Sequence, residues 1–448
     1  MRYIPNTDKD RKEMLASIGV KSVEEFFTYI PEALRQKASL LNLPPSMTEP
    51  DILRHIREMG GRNADTESHI SFLGAGAYSH YIPSVVDHII SRSEFYTAYT
   101  PYQPEISQGT LQAVYEFQTL ICQLTGMEAA NASMYDGASA LAEAVLMAHR
   151  INGRKDVLIS GNIHPEYRQV VNTYCRYLDI NIKEIPFTEK GITDLEWLSK
   201  NISEETSAIA AQNPNFFGCI ENIKVLGELA HAKGSLFIAC VNEPVSLGIL
   251  NPPGDFGADI VAGEGQGLGN PLSFGGPYLG LFAAREKYIR SMPGRLVGRT
   301  VDADGKTGYV LTLSTREQHI RREKATSNIC SNQALCALSA AVYMSLMGKD
   351  GFKKLAILNL QKADYAKGLI SGIEGYKLKF HNPVFNEFVI ETPVNPDDIN
   401  KELIKEGIIG GLPLEKFYPE LKNCMLLSVT ENHRKEDIEK LWKLLRQY

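Results

Sequence analysis

The chain has 448 residues, of which 44% are hydrophobic and 22% are charged. This balance is typical of a folded globular protein and excludes an intrinsically disordered chain, and the length predicts two or three domains. The 47 basic and 53 acidic residues give a net charge of -6. A mildly acidic protein has no general attraction for nucleic acid or anionic lipid.

The cysteines and the hydrophobic pattern predict a reduced, cytoplasmic protein. An odd, scattered set of seven cysteines without a CxxC pair is typical of free thiols. Residues 1–10 lack the apolar segment of a secretion signal, and the sequence has no apolar run of about 18 residues that could span a membrane. The cysteines are Cys122, Cys175, Cys219, Cys240, Cys330, Cys336 and Cys424.

Residues 1–70 are predicted to form an N-terminal helical arm. Thr7 is followed three residues later by Asp10, and Thr48 by Asp51, which is the spacing of a side-chain cap at a helix start. Short amphipathic helices are rarely stable alone, so we expect the arm to lie on another surface.

Residues 71–330 are predicted to form a large α/β domain with a mostly parallel sheet. A glycine-rich passage at 72–80 and a proline-containing loop at 99–108 precede a helical pattern that stops at Gly126. Short apolar runs then alternate with helical patterns, which indicates buried strands with covered faces. The predicted strands are 157–160, 182–186, 207–212, 236–241 and 259–262, and the helices lie near 138–150, 165–178, 193–200 and 221–233.

Residues 331–448 are predicted to form a smaller α+β domain. A long helix rich in alanine and leucine is expected from about Asn332, and a closing helix from Glu436. Strands are expected at 377–380, 387–391 and 424–429.

Several common site motifs are absent from the sequence. The glycines from Gly263 to Gly269 alternate, but they do not form the GxGxxG pattern of a dinucleotide-binding fold. A Gly-Lys-Thr at 305–307 lacks the glycine of a phosphate-binding loop five residues earlier, where Thr300 stands, so we interpret it as an exposed turn. The histidines have no paired spacing for zinc, and we predict no metal site.

The order of the predicted elements resembles the fold type I pyridoxal-phosphate enzymes, the aminotransferase-like superfamily. Segment 130–139 corresponds to the place where that fold binds the cofactor phosphate at a helix start. Asp136 stands in this segment, and a carboxylate beside a phosphate is repulsive. We therefore interpret the loop as vestigial or as serving another purpose.

The lysine that anchors the cofactor in that fold is missing. Segment 259–277 resembles the stretch that carries it, and Gln266 and Gly267 occupy the expected position. Only a primary amine forms the imine, and the sequence has no lysine between Lys233 and Lys287. The chain is thus predicted to be unable to bind pyridoxal phosphate covalently.

Other cofactor-binding groups of that fold are also not matched. The aspartate that protonates the pyridine nitrogen falls near Asn242 and Glu243, with the register open between them. The strand at 425–429 has no arginine for a substrate carboxylate. His164 stands where the fold often stacks a residue on the cofactor, but without the lysine we favour a structural role.

Four strings look like glycine decarboxylase, the P-protein family of the glycine cleavage system. The resemblance runs over the whole chain and corresponds to the N-terminal half of the long P-protein, or to the α subunit where the protein is split. The strings are YTAYTPYQPEISQG at 96–109, GGP at 275–277, MPGRLVG at 292–298 and TREQHIRREKATSNIC at 315–330.

The resemblance implies glycine decarboxylation by a complex, expected as α2β2, in which this chain alone is inactive. In that family the other subunit, subunit 2, carries the lysine and holds pyridoxal phosphate covalently, and glycine bound there loses CO2. The aminomethyl group then passes to the lipoyl group of H-protein. The active site is similar to a pocket at the interface of the two subunits, so this chain is expected to contribute residues to it.

Two groups of polar residues are candidates for a substrate or interface site. Tyr78, Ser79 and His80 follow flexible glycines and could approach a ligand, although His80 could equally be structural. The loop at 99–108 concentrates hydrogen-bonding groups on a backbone stiffened by proline, or it merely precedes the next helix with Ser107 as its cap. The loop candidates are Tyr99, Tyr102, Gln103, Glu105 and Gln108.

A third group is cationic and predicts an anion site or a subunit contact, with a solvated helix face as the alternative. It consists of Arg316, His319, Arg321, Arg322 and Lys324.

Two other functions compete with that of a complex subunit. The first is a stand-alone pyridoxal-phosphate enzyme, which would need a lysine outside the expected segment. The second is a pseudoenzyme that serves as a scaffold or regulator.

Overall fold

The computed structural model describes residues 5–39, 42–329 and 332–448. Cys330 lies outside the described residues, and the other six cysteines are free thiols. The described residues up to Ala64 form one compact unit, and Asp65–Tyr448 form another. The predicted domain boundaries after residues 70 and 330 stay predictions.

The first unit is helical, as expected. Its helices are α1 (Asp8–Ile18), α2 (Glu32–Ser39) and α3 (Glu49–Gly60), with a 3-10 helix at Val23–Phe27. Both predicted caps are confirmed, because the Thr7 and Thr48 hydroxyls accept hydrogen bonds from the backbone N–H groups of Asp10 and Asp51. Helices α1 and α3 bury no residue within the chain. That the arm lies on another surface stays a prediction.

The second unit contains the remaining helices. They are α4 (Ser84–Ile90), α5 (Ser93–Tyr96), α6 (Gln108–Thr125), α7 (Gly137–Asn152), α8 (Pro165–Cys175), α9 (Leu195–Asn201), α10 (Ile223–Ala232), α11 (Gln318–Arg321), α12 (Ala334–Ser371), α13 (Pro396–Leu403) and α14 (Lys435–Leu445). Short 3-10 helices lie at Pro104–Ile106, Pro244–Gly248, Pro253–Phe256, Glu286–Ser291, Ser314–Arg316, Arg322–Lys324 and Ile404–Glu406. Helix α12 is kinked at Gly348, whose φ of 57° is not helical.

The strands of this unit form a large central sheet and smaller sheets around it. They are β1 (Ile70–Ser71), β2 (Ala129–Ala130), β3 (Asp156–Ser160), β4 (Asn181–Ile185), β5 (Thr206–Gln212), β6 (Leu236–Val241), β7 (Ile260–Glu264), β8 (Gly280–Ala284), β9 (Leu296–Val301), β10 (Thr307–Thr312), β11 (Lys377–Leu378), β12 (Glu387–Glu391), β13 (Ile408–Ile409), β14 (Leu412–Pro413) and β15 (Cys424–Ser428).

The central sheet is mostly parallel and covered on both faces. Its strand order is β2-β8-β7-β6-β5-β3-β4, in which β3 to β7 are parallel and β8 runs antiparallel to both of its neighbours, β7 and β2. Side chains of β5 alternate between two core clusters, with Ile209 on the face of α10 and α12 and Ala210 on the face of α7 and α8. The carboxyl ends of β3, β5, β6 and β7 therefore meet at one edge, which is where such sheets place their sites.

The C-terminal lobe (residues 377–448) is built on an antiparallel sheet of order β11-β12-β15-β14. Strand β1 lies far away in the sequence, yet it pairs in parallel with β13 of this lobe. Phe72, just after β1, is fully buried in the core of the lobe. The beginning of the second unit is thus a structural part of its C-terminal lobe.

The predicted strands from 157 to 262 are confirmed within two residues at each end. Strand β8 and the hairpin of β9 and β10 were not predicted, and the Gly-Lys-Thr turn at 305–307 joins the two strands of that hairpin. No helix among the described residues is long and apolar enough to cross a membrane.

Candidate functional site

Helix α7 begins at the carboxyl edge of the central sheet, and carboxylates of the chain itself bind its free N–H groups. Asp136 is the N-cap, and its Oδ1 accepts from the Ser139 N–H at 2.7 Å. Oε2 of Glu264, the last residue of β7, accepts from the Gly137 N–H at 3.0 Å. The helix start thus binds two internal anions.

Glu264 is buried and binds three segments at once. Besides Gly137, its carboxylate accepts hydrogen bonds from the backbone N–H groups of Gln266 at 3.0 Å and Leu279 at 2.9 Å. Burial raises the pKa of Glu264 to about 7, although these N–H donors act in the opposite direction.

Residues 72–81, which we call the strap, cross the sheet edge over His164. The His164 Nδ1 accepts from the Glu166 N–H, so its Nε2 carries the proton and donates to the carbonyl oxygen of Ala75 at 2.9 Å. A Cβ on Gly76 would lie 2.8 Å from the His164 ring, and Gly76 has a φ of 98°. Only glycine fits this close approach of the strap to the ring.

Gln266, at the position expected for the lysine, binds the strap. Its Oε1 accepts from the Tyr78 N–H at 2.8 Å, and its Nε2 donates to the carbonyl oxygens of Tyr78 at 3.0 Å and Asn270 at 2.7 Å. Gly267 lies against the side chain of His80. The amide of Gln266 thus serves as a link between the sheet edge and the strap.

His80 connects two buried carboxylates from different parts of the second unit. Its Nε2 lies 2.9 Å from Glu243 of the sheet edge, and its Nδ1 lies 2.8 Å from Glu431 of the C-terminal lobe. Burial alone lowers the pKa of His80, but the two carboxylates outweigh it and raise the pKa to about 10. The pKa of Glu431 falls to about 2, because its bonds to His80 and the Tyr81 N–H outweigh its burial.

Glu387 holds the strap in place, and Asn242 lies beside the strap at the sheet edge. Glu387 of the C-terminal lobe accepts from the Ala75 N–H at 2.6 Å and from the Tyr78 hydroxyl at 2.8 Å, and burial raises its pKa to about 8. Asn242 accepts from the Cys240 thiol at 3.2 Å, while its buried Nδ2 has no hydrogen-bond partner within the described residues. Glu243 binds His80, and Asn242 lies beside Gly76. Which of the two corresponds to the aspartate of the fold stays a prediction.

These residues do not fit the pyridoxal phosphate that the fold resemblance implies. Glu264 binds the helix start where a phosphate would bind, the strap lies against His164 where a ring would stack, and Gln266 offers an amide in place of an amine. We use the name closed pocket for the region formed by the strap, His164, Gln266 and the buried carboxylates Glu243, Glu264, Glu387 and Glu431. No group of His, Cys, Asp or Glu among the described residues could hold a metal ion.

The closed pocket includes two of the predicted site residues that follow the glycines. Tyr78 and His80 are buried in it, and Ser79 is half-buried with its carbonyl oxygen bound by Thr430 and Asn432. Whether any of the three takes part in a reaction stays a prediction.

The loop at 99–108, which we call the tyrosine loop, lies elsewhere on the second unit and is exposed. Arg295 donates to the Tyr102 hydroxyl at 2.9 Å and lies 3.3 Å from Glu317, and the ring of His319 is 5.8 Å from that of Tyr102. The Gln108 side chain pairs with the backbone N–H and carbonyl of Tyr309. Gln103 and Glu105 are exposed, and Ser107 is the N-cap of α6 without a side-chain bond.

The residues of the predicted cationic group differ in their exposure to solvent. Arg316 is buried and donates to the carbonyl oxygens of Met292 and Gly294, so it holds the backbone of that segment. The exposed members, which we call the basic segment, are His319, Arg321, Arg322 and Lys324.

Sequence reasoning named Glu243 but missed Glu264, Glu387 and Glu431 of the closed pocket and the buried Arg295. One signal was available for Glu264, which is the only charged residue between Asp259 and Arg285. Arg295 belongs to the string at 292–298, but nothing in that string indicates its bond to Tyr102.

Comparisons with known sequences agree with one another. The family model described as glycine cleavage system P-protein matches residues 1–445. A glycine dehydrogenase (decarboxylating) subunit 1 of Desulforamulus reducens is 55% identical over 441 residues, 98% of each chain. A subunit of the same description from Desulfitobacterium hafniense is 56% identical with the same coverage.

Comparisons with solved structures confirm the expected fold type I architecture. A crystal structure of glycine decarboxylase (P-protein) of the glycine cleavage system, in inhibitor-bound form, has a TM-score of 0.91 and 41% identity over all of both chains. A sphingosine-1-phosphate lyase of Burkholderia pseudomallei has a TM-score of 0.67 at 13% identity, covering 91% of this chain and 92% of the lyase, which shows the fold alone.

Proposed function

This chain belongs to the glycine cleavage system P-protein family, and from that premise we propose how it takes part in glycine decarboxylation. As a subunit 1 of glycine dehydrogenase (decarboxylating), it functions in a complex with a second kind of subunit. We propose that this partner holds pyridoxal phosphate covalently and that the present chain supplies part of the wall around the partner's reaction site.

The observation that carries this proposal is the closed pocket. Gln266 stands at the position expected for the anchoring lysine, and the sequence has no lysine between Lys233 and Lys287. An imine requires a primary amine, so the chemistry of glycine has to take place on the partner. A stand-alone enzyme of this fold has no support in the closed pocket, and the relatives' description as a subunit does not favour a scaffold.

The tyrosine loop is the surface best suited to contact the partner. Tyr99 is 79% exposed and Ile106 is 81% exposed. Exposed apolar side chains mark an interaction site when they belong to a continuous apolar patch. An apolar cleft beside the loop is lined by Phe95, Tyr96, Tyr99, Val114, Leu335 and Leu338. The buried ion pair of Arg295 and Glu317 fixes Tyr102, so its hydroxyl keeps a defined position at this surface.

The basic segment lies next to the same surface through the contact of His319 with Tyr102. Its exposed cations could bind carboxylates of the partner, and arginine is well suited to such paired contacts. We propose an α2β2 complex in the cytoplasm that takes glycine, releases CO2 and passes the aminomethyl group to the lipoyl group of H-protein, with no nucleic-acid or membrane partner.

The decisive experiment reconstitutes the complex from separately purified subunits. We expect exchange of CO2 with the glycine carboxyl, dependent on lipoylated H-protein, only when this chain and the lysine-bearing subunit are both present. An aldimine absorption band in the isolated chain with added pyridoxal phosphate would contradict the proposal. Full exchange by the partner alone would also contradict it.

A further inference from the structure

We propose that Glu264 is an internal ligand of the closed pocket: its carboxylate takes the place of a bound oxyanion at the start of helix α7, and together with Gln266 it fastens the strap to the sheet. This inference concerns the chain's own residues and does not depend on the proposed function. It goes beyond the lack of a lysine, because it assigns a role to the groups that fill the pocket.

The first argument is the set of donors around Glu264. Backbone N–H groups of Gly137, Gln266 and Leu279 converge on one carboxylate from three segments of the second unit. Helix α7 is 16 residues long, so the N–H groups and dipole at its start attract an anion. A convergence of N–H donors on two oxygens is how proteins bind small oxyanions, and here the oxyanion is a side chain.

The second argument is the space around the helix start. A Cβ on Gly137 would lie 2.4 Å from the Tyr167 hydroxyl, and the Tyr167 ring packs on His164 at 4.8 Å between centroids. The strap then covers His164, with Gly76 against its ring. Glu264 is therefore held in an enclosed site from which an external anion is excluded.

The third argument is the connection from Glu264 to the strap. Gln266 lies two residues after Glu264, donates its N–H to the Glu264 carboxylate and binds Tyr78 through both atoms of its amide. On the other side, Glu387 and Glu431 of the C-terminal lobe bind the strap at Ala75 and Tyr81. The strap thus joins the sheet and the C-terminal lobe, and Glu264 supports the sheet side of this joint.

The test is to remove the carboxylate and replace it with a small anion. Hydrogen–deuterium exchange is measured on the full chain at a pH above 7, where the carboxyl of Glu264 is ionised, for wild type, Glu264→Ala and the surface control Glu196→Ala. In Glu264→Ala we expect amide exchange in the strap and at the start of α7 to be roughly tenfold faster or more, as for the loss of a buried charged acceptor. Sodium formate or inorganic phosphate, at constant ionic strength, should restore protection in this variant only.

Strap exchange equal to wild type in Glu264→Ala, or faster exchange that neither anion reverses, would overturn the proposal. Protection of the same segments by phosphate in the wild type would also overturn the proposal, because the start of helix α7 would then be open to an external anion. If Glu264→Ala does not fold, the variant Glu264→Gln is used, because it retains the size of the side chain but not its charge. Strap exchange in Glu264→Gln equal to that of the wild type would also overturn the proposal. None of these readouts depends on decarboxylation, so the proposed function is tested separately.

Discussion

The closed pocket and the tyrosine loop are both rich in polar side chains, yet they use them differently. In the closed pocket, Glu264, Glu387 and His80 bind groups of the chain itself and are buried. On the tyrosine loop, Tyr99 and Gln103 are exposed. The polar groups of the closed pocket join parts of the second unit, whereas those of the tyrosine loop lie at the surface.

The largest effect is expected from breaking the closed pocket at His80. The variant His80→Ala leaves Glu243 and Glu431 buried without their common cation, and we expect the free energy of unfolding to fall by about 3–5 kcal/mol. Chemical denaturation of the chain measures this loss. The exposed His88 offers the matched control His88→Ala, which should change stability by less than about 0.5 kcal/mol. Equal losses in the two variants would contradict the prediction.

The closed pocket also predicts how stability depends on pH. The pKa values of Glu264 and Glu387 are raised from 4.5 to about 7 and about 8. Their protonated forms therefore contribute to the free energy of unfolding below pH 4.5, and this contribution is lost as the pH rises through the raised values. The pKa of His80 is raised from 6.5 to about 10, so its contribution is lost between those values. The pKa of Glu431 is lowered to about 2, and its contribution is lost as the pH falls from 4.5.

The lowered pKa of His164 acts in the opposite direction, because its contribution is lost as the pH falls below 6.5. Above that pH, the raised pKa values predict that stability declines toward pH 10. Denaturation curves at a series of pH values measure this profile. The variant Glu387→Gln should flatten the decline between pH 4.5 and about 8, where the carboxyl it removes would titrate. A wild-type profile that rises between pH 6 and 9 would contradict the assignment.

A smaller effect, on activity alone, is expected at the tyrosine loop. Tyr102→Phe in the complex should lower the rate of CO2 exchange by about tenfold or more, because the Tyr102 hydroxyl loses its hydrogen bond from the Arg295 guanidinium. Tyr99→Phe, at the exposed start of the loop, should lower the rate as well. Assembly, followed by size-exclusion chromatography, should be unchanged. Tyr177→Phe is the matched control, since Tyr177 is 88% exposed and lies outside the loop. Undiminished exchange in both loop variants would remove the loop from the reaction.

The smallest effect is expected at the basic segment. Arg322 is exposed, and Arg322→Ala should slow association with the partner subunit by less than about fivefold at low salt, because exposed ion pairs contribute little. Added salt should remove the difference. Stopped-flow association kinetics measure it, with Lys353→Ala on α12 as the control. A loss that persists at high salt would point to a structural role for Arg322.

The sequence predicts the central sheet well because its parallel strands are buried on both faces. Strand β6 is predicted with its exact bounds, since all six of its residues are buried and read as a continuous apolar run. The hairpin of β9 and β10 was missed because its residues after Val297 are partly or fully exposed and show no clear alternation. The C-terminal strand at 377–380 is two residues shorter than predicted.

At the site, the sequence predicts that the anchoring lysine is missing, but it does not predict which side chains fill the closed pocket. The absence of a lysine near Gln266 can be read directly, because it requires no knowledge of distant contacts. The bond of Glu264 to Gly137 joins residues 127 positions apart, and that of His80 to Glu431 joins residues 351 apart. No local pattern encodes such pairs, since they form only when the strap, the sheet and the C-terminal lobe come together.

The pairing of β1 with β13 has a consequence for biosynthesis. Backbone hydrogen bonds join Ile70 and Phe72 to Gly407 and Ile409, and Ser428 then donates to the Phe72 carbonyl. A ribosome makes these partners more than three hundred residues apart, so the C-terminal lobe is completed only when nearly the whole polypeptide has emerged. Expressed as a separate fragment, residues 377–448 would lack a piece of their own core, and adding a peptide of residues 68–82 should help that fragment to fold.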